Sequence, residues 1–249
     1  AEAAPQSGAR LLVSTLERLG VEVVVGYPGG AIMPVYDALA GSKLKHILVR
    51  HEQGAAFAAD AYARKSGKVG VCMATSGPGA TNLITGIANA MMDSVPMVCI
   101  TGNVAQGLMG PDAFQEIDIL GVTLPIVKHS IIVRRPEDIP SAMAEAFAIA
   151  EGGRPGPVLV DLPKDVQQAV CEPGALRRPE ADILPAPTSE SIAEAERLIA
   201  RAKKPLFYLG GGVARANASE MVRRIVEESG IPAVATLQGL GVLPPEHPA

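Results

Sequence analysis

The sequence predicts an α/β fold in which a parallel sheet is flanked by helices, and three observations support this class. Short apolar runs rich in Val and Ile alternate with longer Ala-rich runs of helical spacing. Glycine-rich turns follow several of the apolar runs, and 48% of the 249 residues are hydrophobic, which is enough for a sizeable core. Strands that alternate with helices favour a parallel sheet covered on both faces.

The strands are predicted from β-branched runs that are bounded by turn residues. The first run, residues 21–25, consists of four valines around Glu22, and Gly26 follows it directly. The same signal predicts strands at residues 21–25, 47–49, 69–74, 97–101, 131–133, 158–160, 206–209 and 233–236.

The helices are predicted from apolar residues three and four positions apart in Ala-rich segments. The first helix carries its leucines on one side and is followed by Gly20, a typical C-terminal residue of a helix. Pro136 suits the first turn of a later helix. The pattern predicts helices at residues 9–19, 32–39, 52–66, 80–92, 136–151, 189–202 and 218–229.

The domain organisation is indicated by a Pro-rich interruption of this rhythm. Residues 171–188 contain four prolines and no periodic apolar pattern, which is typical of an interdomain linker. We therefore predict one domain at residues 1–170 and the beginning of a second at residues 189–249. This second segment is short for an α/β domain, so we expect it to be truncated.

Composition and charge exclude several classes of protein. The net charge is −4 without a basic run, which disfavours nucleic-acid binding. Three widely spaced cysteines argue against a disulfide framework and for a reducing, cytoplasmic compartment, with Cys72 and Cys99 as buried apolar residues. No targeting segment or metal-ligand cluster is visible. The uncharged stretch 69–92 contains a Ser-Gly-Pro-Gly turn, so we interpret it as strand, turn and helix and not as a membrane span.

Three glycine-rich turns follow predicted strands, and each has a structural and a functional interpretation. Gly-Tyr-Pro-Gly-Gly at residues 26–30 either brings backbone close to a ligand or makes a tight turn. Residues 76–82 could cradle a phosphate, but they lack the Lys-Ser/Thr of a P-loop. The glycines at 210–212 only partly match a dinucleotide turn, because Arg215 holds the place of the third glycine.

Glu52 is the main candidate for a functional acidic residue. It follows a predicted strand and opens an apolar helix, and ligands of parallel α/β proteins bind at the carboxyl ends of strands. A carboxylate at a helix N-terminus is also a common stabilising residue. Position alone leaves both interpretations open.

Taken together, the motifs resemble those of the thiamine-diphosphate-dependent enzymes, and most closely those of the acetohydroxyacid synthase (acetolactate synthase) catalytic subunits. The resemblance covers nearly the whole chain in the family's order. It rests on Gly26–Ala31, Arg50–Ala55, Ser76–Asn82, Asp112–Glu116, Gly153–Pro157, Asp161–Asp165 and Thr236–Gly241. It implies a pyrimidine-binding domain followed by the beginning of a Rossmann-like, FAD-binding central domain.

The resemblance also implies roles for particular residues. Catalytic roles fall to Glu52, which would share a proton with the aminopyrimidine ring, and to Gln115 and Lys164. The other implied contacts to thiamine diphosphate are Tyr27, Gly29, Gly30, Pro78 and Asn82. The implied contacts to FAD are Arg154, Gly211, Gly212, Thr236 and Leu237. The implied substrate channel is lined by Ala31, Ala105, Phe114 and Lys164.

The activity implied by the resemblance is the condensation of pyruvate with a second 2-keto acid with loss of CO2, the first common step of branched-chain amino-acid biosynthesis. The implied cofactors are thiamine diphosphate, FAD and Mg²⁺, with the Mg²⁺ ligands outside this segment, so the isolated segment is expected to be inactive. The implied partners are further copies of the chain, joined through the pyrimidine-binding domain, and a regulatory subunit.

Two other functions remain open from the sequence. One is a different thiamine-diphosphate 2-keto-acid enzyme, of the pyruvate oxidase or decarboxylase type. The other is a truncated, non-catalytic interaction module. The sequence also departs from the family at residues 102–107, where Asn103, Ala105 and Gly107 stand in place of Gln, Pro and a basic residue. This departure concerns the lining of the channel.

Overall fold

The computed structural model describes residues 4–177, 179 and 185–249. The chain divides into two compact units, Ala1–Ile183 and Leu184–Ala249. Part of the predicted linker, residues 178 and 180–184, lies outside the described residues.

The first unit is built on a six-stranded sheet in which every pair of neighbouring strands is parallel, so the predicted fold class is confirmed. The strand order is β3-β2-β4-β5-β7-β6. These strands are β2 (Val23–Gly26), β3 (Lys45–Leu48), β4 (Gly70–Ala74), β5 (Met97–Asn103), β6 (His129–Ile132) and β7 (Pro157–Pro163). An unpredicted antiparallel pair, β1 (Gln6–Ser7) and β8 (Val170–Cys171), joins the two ends of the unit.

Eight α-helices connect the strands within the described part of the first unit. They are α1 (Gly8–Arg18), α2 (Met33–Leu39), α3 (Glu52–Ser66), α4 (Pro78–Thr81), α5 (Ile84–Asp93), α6 (Ile119–Thr123), α7 (Ile139–Glu151) and α8 (Lys164–Gln168). The sequence pattern missed α6 and α8, which are too short to show a period of 3.6 residues.

Two predicted helices differ from the structure for local reasons. The helix predicted at 80–92 is divided into α4 and α5, because the amide of Leu83 bonds to the carbonyl of Ala80 in a tighter turn. The helix predicted at 136–151 begins with a 3₁₀ turn, Pro136–Asp138. Pro140 has no N–H to donate to the carbonyl of Pro136, and Ile139 donates to it instead.

Alternate residues of the strands point to two separate cores, one on each face of the sheet. Val24, Met73 and Val98 belong to the core that contains α1 and α7, whereas Cys72 and Cys99 belong to the core under α3 and α5. These two cysteines are fully buried and in register, as expected for apolar residues. The hydrogen bond that the Cys99 thiol makes to Cys72, together with burial, raises the pKa of Cys99, which keeps it a thiol.

The second unit has two parallel strands, β9 (Phe207–Leu209) and β10 (Ala233–Ala235). Its helices are α9 (Ser189–Arg201), α10 (Gly211–Arg215) and α11 (Ser219–Ser229). Thr188 caps α9 by accepting a hydrogen bond from the amide of Ser191. Among the described helices of both units, none has the length and apolar character needed to cross a membrane.

Candidate active site

The candidate active site lies where the parallel strands β2, β4 and β5 end, and Glu52 is its buried acid. Glu52 is the first residue of α3, and its residue surface is only 8% exposed. The side-chain amide of Asn82, 30 residues further along the chain, donates to its Oε2 atom over 2.9 Å. Among the described residues no hydrogen bond reaches Oε1. One carboxylate oxygen is therefore paired, and the other is available to a ligand.

His51 orients the start of the helix that carries Glu52. Its backbone is extended, and its Nδ1 atom accepts a hydrogen bond of 3.1 Å from the amide of Gln53. This contact satisfies one of the amides that a helix N-terminus leaves without an intrahelical partner. His51 is therefore a helix cap, whereas the Glu52 side chain turns inward.

Two glycine loops from different strands meet beside Glu52. A Cβ atom on Gly79 would lie 3.1 Å from Glu52 Oε1 and 2.7 Å from the methyl group of Thr75. A Cβ atom on Gly29 would lie 2.5 Å from the same methyl group. Gly30, in contrast, has no heavy atom within 4 Å of its Cβ position. The loop at 26–30 thus packs tightly on one side and borders open space at Gly30.

The predicted residues Phe114 and Gln115 lie on a loop that reaches the Gly-Pro-Gly turn. A Cβ atom on Gly77 would lie 2.6 Å from the carbonyl oxygen of Gln115, and both residues have positive φ angles, 55° and 57°. The carboxylate of Glu116 accepts from the amides of Ala113 and Gly110 and so closes the loop. Phe114 is 88% exposed on this loop, and Gln115 is also exposed.

Hydrogen bonds between their neighbours in sequence link the segments of the predicted channel residues Ala105 and Lys164. Asp165, next to Lys164, accepts from the amide of Gln106 over 3.2 Å and from its side chain over 3.3 Å. Gln106 follows Ala105 directly. Asp165 therefore ties the loop of Ala105 to the segment of Lys164.

A second carboxylate, Asp161, supports the same loop from inside the protein. It is fully buried and accepts from Thr101 Oγ1 and from Asn103 Nδ2, each over 2.6 Å. Asn103 Oδ1 in turn accepts from the amide of Val104. Burial raises the pKa of Asp161, although the hydrogen bonds from Thr101 and Asn103 act in the opposite direction. Asn103, a departure from the family pattern, thus has a definite structural partner.

The hydroxyl group of Tyr36 packs against Gly26 at the end of β2. A Cβ atom on Gly26 would lie 2.5 Å from the hydroxyl oxygen of Tyr36, so glycine makes room for this ring. The hydroxyl is buried, and burial, followed by the charges of Cys72 and Glu52, raises the pKa of Tyr36 above its ordinary value. Tyr36 therefore stays protonated close to the candidate site.

In the second unit, the four predicted FAD residues lie after the two parallel strands. Gly211 and Gly212 begin α10, directly after β9, and Thr236 and Leu237 follow β10. The hydroxyl of Thr236 accepts from the amide of Gly239 over 3.1 Å. A Cβ atom on Gly211 would lie 2.9 Å from Cβ of Gln238, so the two loops are in contact.

Arg154, the fifth predicted FAD residue, belongs to the first unit. Its guanidinium donates to Ser94 Oγ and to the carbonyls of Met91 and Met92, at the C-terminal end of α5. These bonds satisfy carbonyls that the end of a helix leaves without partners. In this structure the Arg154 side chain therefore caps the C-terminal end of α5.

Sequence reasoning did not find Thr75, Asp161 or Gln167 as parts of the site. Thr75 directly precedes the recognised Ser-Gly-Pro-Gly turn, and Asp161 begins the motif Asp161–Asp165, in which the resemblance implies a role only for Lys164. Gln167 is fully buried, and its Nε2 atom donates to the carbonyls of Ala31 and Leu162, both over 2.7 Å. A glutamine in a short polar segment gives no sequence signal that it will cross the protein interior.

Comparison with known proteins agrees with this fold. Residues 6–122 match the N-terminal, thiamine-pyrophosphate-binding domain of thiamine pyrophosphate enzymes, and residues 192–249 match the central domain of these enzymes. The chain belongs to the thiamine pyrophosphate enzymes.

Within this family, the chain is similar to proteins named acetolactate synthase. The chain is 55% identical over 245 residues to the acetolactate synthase of Mycobacterium bovis, 54% identical over 251 residues to the large subunit from Corynebacterium glutamicum, and 51% identical over 247 residues to the isozyme 1 large subunit of Escherichia coli. These matches cover 97%, 98% and 97% of the chain, but only 40%, 40% and 43% of the relatives. The chain thus spans less than half the length of these relatives.

Proposed function

We propose that this chain forms the pyrimidine-binding part, and some of the flavin-binding part, of a thiamine-diphosphate-dependent acetolactate synthase. The enzyme condenses pyruvate with a second 2-keto acid and releases CO2. The observation that carries the proposal is the buried Glu52 carboxylate, which is paired with Asn82 through one oxygen and faces Gly79 with the other. The names of the similar proteins support the same activity.

The residues at the site fit the aminopyrimidine ring of thiamine diphosphate. The lack of a side chain at Gly79 leaves room beside Glu52 Oε1, and Gly30 on the other loop borders open space. When bound, the cofactor supplies the nucleophilic carbon and takes up the electron pair that the departing CO2 leaves behind. Glu52 holds a proton at a carboxylate oxygen and shares it with the ring, and Asn82 keeps the carboxylate oriented. Tyr27, Gly29 and Pro78 complete the proposed contacts to the cofactor.

The substrate side of the proposed site is formed by the loops that reach these glycines. Lys164 supplies a positive charge for the carboxylate of a 2-keto acid. Gln115 offers an amide to the keto oxygen. Ala31, Ala105 and Phe114 supply the apolar lining of the channel.

Two further cofactors and an assembly complete the proposal. Gly211, Gly212, Thr236 and Leu237 of the second unit would hold FAD. Mg²⁺ is held by ligands outside this segment. Copies of the chain associate through the pyrimidine-binding domain, a regulatory subunit joins them, and the enzyme works in the cytoplasm.

A product assay tests the proposed reaction. The full-length protein is incubated with pyruvate, thiamine diphosphate, Mg²⁺ and FAD, with and without 2-ketobutyrate as the second keto acid. We expect acetolactate from pyruvate alone and the mixed acetohydroxy acid when 2-ketobutyrate is added. Acetate or acetaldehyde as the main product would favour an oxidase or a decarboxylase instead. No turnover of pyruvate by folded protein would favour the non-catalytic interpretation.

A further inference from the structure

Thr75 connects three parts of the candidate site, although neither the motifs nor the proposed mechanism uses it. It follows β4 directly and is buried. Its Oγ1 atom accepts a hydrogen bond of 3.1 Å from the amide of Ala31, a residue 44 positions away in sequence. Its methyl group faces the Cβ positions of Gly29 and Gly79.

The methyl group of Thr75 determines how closely the two glycine loops approach each other. A Cβ atom on Gly29 would lie 2.5 Å from Thr75 Cγ2, and one on Gly79 would lie 2.7 Å from it. Any side chain at either position would have to displace this methyl group. Because threonine is β-branched, its side chain has few alternative rotamers to adopt. The spacing of both loops beside Glu52 is therefore set by Thr75.

The hydroxyl group acts on the peptide groups of Ala31 together with a second side chain. Thr75 accepts from the amide of Ala31, and Gln167 donates to its carbonyl over 2.7 Å. Gly102 packs against the same carbonyl, since a Cβ atom there would lie 2.6 Å from the oxygen. Both polar groups of Ala31 are thus held by buried side chains, one from the residue that follows β4 and one from α8.

We propose that Thr75 is a positioning residue that fixes the Gly29–Ala31 loop and Gly79 relative to the Glu52 carboxylate, with Gln167 holding the other side of Ala31. Thr75 does not contact the reacting atoms in this account. It acts through the loops that border them. The proposal rests on the proposed function for its effect on turnover, but not for its effect on the Ala31 amide.

The test uses two substitutions that divide the threonine side chain into its two parts. Thr75→Val keeps the shape and removes the hydroxyl acceptor, whereas Thr75→Ser keeps the hydroxyl and removes the methyl group. Amide hydrogen exchange at Ala31 is measured on the cofactor-free, full-length protein by mass spectrometry with site-resolving fragmentation. Turnover and the KM for thiamine diphosphate are then measured on the loaded enzyme, with the thermal midpoint as a check of folding.

We expect Thr75→Val to speed exchange at Ala31 at least about tenfold, since the amide loses a buried acceptor. Turnover should fall about 10- to 100-fold, because small misplacements near reacting groups are costly. We expect Thr75→Ser to keep the slow exchange, since the hydroxyl still holds the loop, and to lower turnover by less than Thr75→Val does, since only the methyl contact with Gly29 and Gly79 is lost. Unchanged exchange in Thr75→Val, or equal loss of turnover in both variants, would overturn the proposal.

A further variant keeps the proposal falsifiable if Thr75→Val does not fold. Gln167→Met keeps the length of the side chain and removes the donor to the Ala31 carbonyl. It should lower turnover by a larger factor than it changes the KM for thiamine diphosphate. Wild-type turnover in folded Gln167→Met would count against the positioning role. The wild type could make no acetolactate while Thr75→Val still speeds exchange at Ala31. That result would refute the proposed function but support the role of Thr75 in holding the loop.

Discussion

The two units of the molecule follow the same alternation of strands and helices but differ in how much they bury. In the first unit, six strands have a core on each face, and the candidate site residues make buried and partly buried hydrogen bonds. In the second unit, only four hydrophobic side chains are buried among its described residues: Leu209, Val226, Ile231 and Val242. Leu237, which belongs to the predicted FAD contacts, is 80% exposed.

The difference shows that the sequence pattern of an element does not determine its burial. Helix α9 has an apolar stripe as clear as that of α1, yet none of its residues is buried, and Leu198 is 64% exposed. Burial depends on how many strands and helices surround an element, which is a property of the assembled unit. Substitutions of the same type should therefore have different consequences in the two units.

The largest expected contrast comes from truncating one apolar side chain in each unit. Ile100→Ala removes a fully buried residue from the centre of the large sheet and should cost about 2–5 kcal/mol of unfolding free energy. Leu198→Ala lies on an exposed face of α9 and should cost less than about 0.5 kcal/mol. Urea unfolding of this chain, followed by circular dichroism, measures both. Equal losses would show that the second unit is as well packed as the first.

Two matched glycine substitutions should change the free energy of unfolding by smaller amounts and in opposite directions. Gly79→Ala places a Cβ atom 2.7 Å from Thr75 Cγ2 and should destabilise the first unit by about 1–3 kcal/mol. Gly212→Ala lies in α10 with no atom within 4 Å of its Cβ position, and it should stabilise by about 0.5–1 kcal/mol, because alanine favours a helix. Thermal unfolding of both variants tests the signs. Destabilisation by Gly212→Ala would mean that the loop of the second unit is tighter than its contacts indicate.

The sequence predicts the elements that carry a regular pattern, but not the features that depend on contacts between distant residues. The parallel sheet and α3 were predictable, because alternating runs and a long Ala-rich segment carry the period of each element. The short α6 and α8, and the antiparallel pair β1 and β8, were not. Within the candidate site, Glu52 and the glycine loops were recognised from motifs. The roles of Thr75 and Gln167 depend on residues 44 and 136 positions away, and no local pattern encodes such contacts.

The smallest expected effect concerns the pH dependence of stability in the first unit. Burial raises the pKa of Asp161, so the folded state keeps this proton to higher pH than the unfolded state does. The contribution of Asp161 to stability therefore falls as pH rises from about 4 through its folded pKa, by at most about 1.4 kcal/mol per pH unit. Asp161→Asn should lack this slope in urea unfolding between pH 4 and 8.

The control for this measurement is Val160→Ala on the same strand. Val160 is buried but carries no ionisable group, so its substitution should lower stability and leave the slope unchanged. A wild-type slope in Asp161→Asn would show that the buried carboxylate is ionised throughout the range.

The central claim is that the buried Glu52 carboxylate shares a proton with the aminopyrimidine ring, and Glu52→Gln in the full-length protein tests it most directly. Glutamine keeps the size of the side chain but cannot share the proton, so turnover at saturating thiamine diphosphate should fall about 10²–10⁴-fold while the thermal midpoint changes little. Glu22→Gln, the same substitution at an exposed glutamate that pairs with Lys68, is the matched control and should keep wild-type turnover. Near-wild-type acetolactate formation by Glu52→Gln would contradict the account.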